Sequence, residues 1–344
     1  MQFTGRSTYV LSLPKKWVEE LHLKPGDQVT LMREFDNSLS IVPIATGPSE
    51  APNEVTAIIS PNESSNAVKR KVVSMYLAGY NIIHMKFKTG RVNNLGLRDA
   101  IREVVRRNLV GTEMIADASD NITLQVLLSL PELSVNTAIR RMYLIASSMH
   151  KDAISSLAEQ NAELAKEVIK SDDEVDRFSL YILRNLVMAT QNGRVLREMG
   201  LKNPSDCLSF RVAVKSVERI ADHACSIADK AIKLNGKIPK EVLQKIDKMS
   251  HLALTVLGDS VEALLRRDYE LADKTVDNSE NIRLLEDDAI ATIDKNKISD
   301  LANVKLALED IRRTAEYASD IAEAALNETI DKVIEKHISE RSRQ

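Results

Sequence analysis

The sequence predicts a multidomain chain: a small β-rich module, an α+β module of order βαβαββ, and an all-α six-helix bundle made of two three-helix repeats. Three observations predict it. Six of the nine prolines fall at or before Pro61 and only four of the eleven glycines lie beyond Gly111, so chain breakers crowd the front and thin out behind. Period-two alternation in the front gives way to helical periodicity from Ser134 onward. Finally, residues 217–231 and 311–325 align with six identities in fifteen, with Asp222/Glu316 and Asp229/Glu323 as like pairs. At 344 residues the chain also exceeds what one core usually organises.

The front module, 1–45, alternates as a strand over 7–13. Pro14 stands where a short helix over 15–21 can begin, and Lys24-Pro25-Gly26-Asp27 reads as a type II turn. Strands over 28–33 and 38–42 follow, joined at Asp36-Asn37. So short a strand-rich module buries little alone and needs a partner, such as a second copy in a dimer. Residues 46–53 interrupt both periodicities and read as a linker. The middle module, 54–130, reads as strand 55–60, helix 64–78, strand 81–87, helix 96–108 and strands 113–116 and 122–128, with both helices on one face of the sheet. The helical repeats occupy 134–235 and 239–335, with stops at 200–204, at Asn235-Gly236 before Pro239, and around 295–299.

Lys+Arg 47 against Asp+Glu 50 leaves a net charge of -3, which excludes a uniformly basic nucleic-acid binder and an acidic solvating tail. Two cysteines cannot build a disulfide framework. No apolar run approaches the roughly 20 residues of a spanning helix, and no cleavable signal is legible, so the expected setting is cytoplasmic. Charge is local. Residues 64–108 hold ten basic and two acidic side chains, net +8, and Arg98, Arg102 and Arg106, beside Arg107, mark a candidate basic face on one helix. Such a face suits DNA, an acidic partner or the acidic helical half; a solvated surface is the competing reading.

In the helical half, Asp172 and Asp176 stand four apart, as do Glu218 and Asp222, so each pair projects from one helix face and repels itself. A cation between the two helices turns that repulsion into coordination, and oxygen-only ligands suit a hard metal. Glu159, Glu163 and Glu167 share the spacing, so a solvated acidic face competes here too. His223 points about 100° away from Asp222 and reads as a packing or interface residue. Cys225, with no cation beside it in sequence, reads as a small core residue.

Glu218-Arg219-Ile220-Ala221-Asp222-His223-Ala224, with Asp172-Asp173-Glu174-Val175-Asp176-Arg177 upstream, resembles the helix motifs of the PhoU family of phosphate-uptake regulators over residues 134 to about 330. The resemblance implies two three-helix repeats whose E(D)-x-x-x-D motifs bind metal on the bundle surface. It places a divalent or trivalent ion, with Fe, Mg, Mn and Zn not distinguished, on Asp172, Asp176, Glu218 and Asp222. The second repeat departs from the pattern: Arg312 replaces the Glu, Glu316 the Asp, and the upstream motif reads Asn278-Ser279-Glu280-Asn281-Ile282-Arg283. A guanidinium cannot ligate a cation, so one full and one degenerate site are expected, the latter closed by an internal Arg–carboxylate pair.

The front module, with Thr8-Tyr9-Val10-Leu11-Ser12-Leu13-Pro14-Lys15-Lys16-Trp17, then Leu23-Lys24-Pro25-Gly26-Asp27-Gln28-Val29, then Leu39-Ser40-Ile41, resembles the SpoVT/AbrB family of swapped-hairpin DNA-binding domains. The resemblance implies an interlaced homodimer presenting Arg6, Lys15 and Lys16 to DNA. Five basic and five acidic residues cancel within the module, whereas phosphate-backbone affinity needs local excess charge. A dimerisation module without DNA binding therefore stands beside the DNA reading.

Three functions compete. An archaeal-type PhoU-like regulator of phosphate uptake or phosphate-responsive signalling, with a metal-binding bundle joined to a dimerising, DNA-binding front, uses all three modules. Its implied partners are a second copy, DNA, and the cytoplasmic components of a phosphate transporter or a signalling protein. A transcription factor unrelated to phosphate would use the bundle only for oligomerisation. A carboxylate-metal enzyme ranks last, because none of His150, His223, His251 and His337 has an acid three residues earlier, as di-iron bundles require, and no phosphate loop or nucleophile elbow is present.

Overall fold

Turn chemistry and alternation shape the front of the chain. In the computed structural model, which describes residues 2–4, 8–33, 38–43, 53–88, 94–127, 134–296 and 298–341, the chain divides into two compact units, Met1–Asn53 and Glu54–Gln344. In the first unit, β1 (Gln2–Thr4) pairs antiparallel with β2 (Thr8–Val10), and β3 (Val29–Arg33) with β4 (Leu39–Pro43). β1 adds to the strands expected from the sequence. Helix α1 (Lys15–Glu20) starts after Pro14 as anticipated, and Asp27 N–H donates to Lys24 C=O at 3.0 Å around Gly26 at φ +97°. That positive φ is the type II turn, which only glycine occupies without steric cost. No residue of α1 is buried, and Tyr9, Leu31 and Leu39 are more than half exposed. The described part of this module thus has no core of its own. Arg6 and most of the 46–53 segment lie outside the described residues.

The second unit opens with the α+β module: β5 (Glu54–Ile59), α2 (Ser65–Leu77), β6 (Ile82–Phe87), α3 (Leu95–Asn108), β7 (Thr112–Asp117) and β8 (Asn121–Val126). The sheet order is β5-β6-β8-β7; β5 and β6 run parallel around the α2 crossover, and the other pairs are antiparallel. Ser64 caps α2 by accepting the Ala67 N–H at 3.2 Å. Alternate strand residues Ile83, Met85, Ile122 and Leu124 pack with Val68, Val72, Tyr76, Ile101 and Val104 of both helices in one core, so the helices cover one face of the sheet.

Here the expected basic face is corrected. Arg98 is fully buried: it pairs with Asp117 at 2.5 Å, donates to Ala118 C=O, and lies over the Phe87 ring at 4.6 Å. Arg102 is half-buried and held by Asp117 at 2.5 Å and Asp99 at 2.7 Å. Asp117 and the β7–β8 turn carbonyls accept from both terminal nitrogens of the buried Arg98 guanidinium, leaving its Nε without an acceptor, and these cations join α3 to the sheet. Arg106 and Arg107 are exposed, and Arg107 lies 3.5 Å from Glu103.

The helical region carries α4 (Val135–Glu159), α5 (Ala162–Gln191), α6 (Gly193–Glu198), α7 (Asp206–Lys233), α8 (Lys240–Arg266), α9 (Tyr269–Ser279), α10 (Asn281–Lys295) and α11 (Leu301–Arg341). Repeat one is α4, α5 and α7, with short α6 in the link; repeat two is α8, α9 with α10, and α11. The α4–α5 and α8–α9 turns both close on a left-handed residue, Gln160 and Arg267, as repeated units should. Besides α6, the repeats differ in their middle helix: α5 runs unbroken for 30 residues, whereas its counterpart breaks at Glu280. Of the alanines shared by the two aligned segments, Ala221, Ala224, Ala228, Ala315, Ala318 and Ala322 are fully buried. Small side chains let α7 and α11 approach closely at the middle of the bundle.

Candidate functional site

Helices α5 and α7 pack side by side within repeat one, which brings the two i,i+4 acidic pairs into one another's field. Burial, then Asp176, Asp222, Asp173 and Glu218, push the Asp172 carboxyl up to about 7. Burial, then Glu218 and Asp222, push Asp176 up to about 6, with Lys215 opposing. Asp222 is raised by burial and Glu218. The four residues singled out from the sequence therefore interact across α5 and α7. They do not converge as ligands: among the described residues no three His, Cys, Asp or Glu side chains are placed to hold an ion together. Glu218 is engaged elsewhere, accepting from Ser179 Oγ at 3.0 Å and pairing with Lys215 Nζ. Uncompensated carboxylates avoid one another.

The donor set nevertheless fits a hard cation. All four side chains offer only oxygens, and Asp172 Oδ1 is buried without a hydrogen-bond donor. Cys225 lies against the cluster, its thiol pushed up to about 12 by burial and then by Asp172, Asp222 and Asp176. It packs against the bundle core, as its sequence context indicated, and the acidic field keeps it protonated.

Repeat two supplies its own cation. Arg312 lies 3.0 Å from Glu286, and its Nη1 donates to Glu316 at 2.5 Å, so the residue aligned with Glu218 brings positive charge and joins α11 to α10. The break at Glu280 falls in the segment corresponding to the upstream acidic motif. His223 faces away from the carboxylates: its Nδ1 is 2.8 Å from Asp310 Oδ1, and its ring stacks on Tyr317 at 5.6 Å. Lys230 meets the same Asp310 at 2.7 Å. In the front module, Lys15 and Lys16 are exposed and lie 3.6 Å and 3.9 Å from Glu19 and Glu20.

The sequence reading passed over Arg184. It is buried on α5, two turns beyond Asp176, and donates to Tyr76 C=O, to Gly79 C=O at 3.1 Å and to Asn81 Oδ1 at 2.8 Å, while covering the Tyr76 ring at 4.9 Å. It thereby caps the end of α2 and ties the α+β module to the helix that carries Asp172 and Asp176. Gly79 turns the chain after α2 at φ +95°, a conformation glycine adopts without strain. The available signal was a cation set within the apolar run Tyr181-Ile182-Leu183-Arg184-Asn185-Leu186.

A two-repeat helical bundle with an oxygen-only carboxylate cluster in one repeat, joined to an α+β module and preceded by a small β-rich module, is the class these features define. A family model for the PhoU domain matches residues 139–231 and 246–325, together half of the chain, and the chain belongs to the PhoU family. A model for antidote-toxin recognition MazE, bacterial antitoxin, matches residues 2–49, so the front module is MazE/AbrB-like. The chain is similar to the phosphate-specific transport system accessory protein PhoU homolog of Aquifex aeolicus, 28% identical over 175 residues, 49% of this chain and 75% of that protein. It is likewise similar to the PhoU homolog 1 of Thermotoga maritima, 29% identical over 200 residues, 55% of this chain and 82% of that protein. The crystal structure of PhoU from Pseudomonas aeruginosa aligns with a TM-score of 0.48 at 22% identity, covering 56% of this chain and 93% of that one. No helix among the described residues is long and apolar enough to cross a membrane.

Proposed function

We propose that the protein is a non-enzymatic regulator of phosphate uptake or phosphate-responsive signalling, in which a metal-binding PhoU bundle controls a dimerising, DNA-binding front module. The observation that carries this reading is the set of mutually raised carboxylates across α5 and α7, in a family whose relatives named above are accessory to phosphate transport. Asp172, Asp176, Glu218 and Asp222 would hold the ion, which supplies the positive charge the cluster lacks. Neutralising the repulsion draws α5 and α7 together. Arg184 stands eight residues, about 12 Å of helix, beyond Asp176, so a shift of α5 reaches the end of α2 directly. Such coupling operates when the ion binds two states of the bundle unequally.

The front module meets its partner in this reading as a second copy, since its described apolar side chains have no internal core. Lys15 and Lys16 are the described DNA contacts of the proposal, with Arg6 as the third. The loose pairing of both lysines with glutamates supports the second reading, a dimerising module that leaves control to direct contact with a transporter's cytoplasmic components. Two measurements test the function. Metal content of the purified full chain should fall to background in the Asp172→Asn, Asp222→Asn double variant; wild-type content there rejects the site. DNA binding at two salt concentrations, on fragments upstream of phosphate-transport genes and on random DNA, should show a specific, salt-sensitive complex. Its absence makes the front module a dimeriser.

A further inference from the structure

A second concentration of acid lies where the start of α7 meets α11, away from the α5–α7 cluster. Asp206 opens α7, and its Oδ2 accepts the backbone N–H groups of Lys202 at 2.8 Å and Asn203 at 3.2 Å. It also accepts Arg267 Nη2 at 2.6 Å. The same guanidinium nitrogen lies 2.7 Å from Glu328 Oε1. One nitrogen thus serves two carboxylates, and the outcome is unequal: Asp206 Oδ2 receives three hydrogen bonds, whereas neither Glu328 oxygen receives an aligned one, although that side chain is only 3% exposed. Burial pushes the Glu328 carboxyl up to about 7 despite Arg267, with Asp206 adding to the rise and Lys332 and Lys202 opposing it. Lys332 is directed elsewhere, donating to Arg267 C=O at 3.4 Å.

A cavity of about 370 Å³ adjoins this carboxyl. Its charged lining is wholly acidic: Asp206, Glu328 and Asp331. Leu208 and Val212 of α7 form its apolar wall and are 68% and 43% exposed. A buried acceptor without a donor is costly and is relieved by whatever brings one. Acid beside exposed leucine and valine asks for a group that is cationic at its tip and apolar along its stem.

We propose that this groove docks a basic segment of a partner protein, with an arginine or lysine side chain entering between α7 and α11 to bond Glu328 and Asp331 while its apolar neighbour covers Leu208 and Val212. Arginine fits best, because its planar fork brings several donors to two carboxylates at once. The groove goes beyond the phosphate reading and does not depend on a metal at Asp172.

The test uses the full chain and a dye-labelled short peptide alternating arginine and leucine, with a citrulline-for-arginine peptide as the uncharged counterpart, followed by fluorescence anisotropy. The arginine peptide should bind about tenfold or more tightly than the citrulline peptide, and Glu328→Gln and Asp331→Asn should each weaken it by about tenfold. A separate groove between α4 and α5 is lined by Asp152, Glu167 and Glu174, and Asp152→Asn there should leave binding unchanged. Asp331 is exposed, so its variant keeps the test decisive if Glu328→Gln impairs folding, which thermal unfolding reports. Binding that ignores Glu328→Gln and Asp331→Asn, or that Asp152→Asn weakens equally, overturns the proposal. So does self-association of the wild-type chain that Asp331→Asn abolishes, since a second copy then occupies the groove.

Discussion

Replacing Asp172 with Asn changes one atom type and removes one charge, and it should move stability in opposite directions with and without metal. The Asp172 carboxyl rises from 3.8 to about 7, so the folded chain holds its proton more tightly than the unfolded chain does. Stability is therefore lost as pH rises through that window, and the penalty is complete above about pH 7. At about 1.4 kcal/mol per unit the ceiling is about 4 kcal/mol, and solvent screening of this partly exposed group reduces it to about 1–2 kcal/mol. Near pH 8 with a chelator, Asp172→Asn should be more stable than wild type by that amount in urea unfolding. With Mn(II) at about a hundred times its dissociation constant, wild type should gain about 2.7 kcal/mol and the variant should gain little. Equal stabilisation of both chains by metal, or a metal-free variant no more stable than wild type, refutes the reasoning.

Arg184→Met should release the α+β module from α5. The loss of three charge-assisted bonds, offset by relief of desolvation, predicts about 3 kcal/mol less hydrogen-exchange protection in α2 and β6 with α7 and α11 unaffected, and unchanged protection in α2 counts against the clamp. Glu328 rises from 4.5 to about 7, so the folded chain again binds the extra proton, and wild-type stability should decline from about pH 5 to about pH 8; Glu328→Gln should flatten that slope and be about 1–3 kcal/mol more stable at the upper end. Parallel pH slopes for the two chains would contradict the burial of that charge. Lys15→Ala with Lys16→Ala should leave folding intact, since both pairs are exposed, and lower the log–log salt slope of DNA binding by about 2, measured by titration across salt concentrations. An unchanged slope excludes these lysines as phosphate contacts.

Much of the architecture was legible because it rests on local signals. Pro14 and Gly26 mark a helix start and a turn through their own backbone preferences, and the structure uses each that way. The six identities shared by 217–231 and 311–325 announced two repeats, and the alanines among them are buried where the helices pack. Carboxylates four apart were readable as one face from their spacing, and the repeat alignment with the family resemblance marked Arg312 as a departure closed by an Arg–carboxylate pair, which Glu286 and Glu316 form.

Partners distant in the chain were not legible. Arg98 looked like a surface cation by helical spacing, but Asp117 and the carbonyls beyond it lie on another element, and they decide that the guanidinium is buried. Nothing near Arg184 in sequence indicates that Tyr76, Gly79 and Asn81, more than a hundred residues away, supply its acceptors. Glu328 gave no local signal either, since its burial and its shared Arg267 arise only where α7, α8 and α11 meet. By itself the sequence determined most of the elements, their repeat and the acidic pairs, because periodicity, turn propensity and charge type belong to neighbouring residues. The tertiary structure alone decided which charges are buried and what satisfies them, because desolvation and ion pairing depend on distances that chain spacing does not encode.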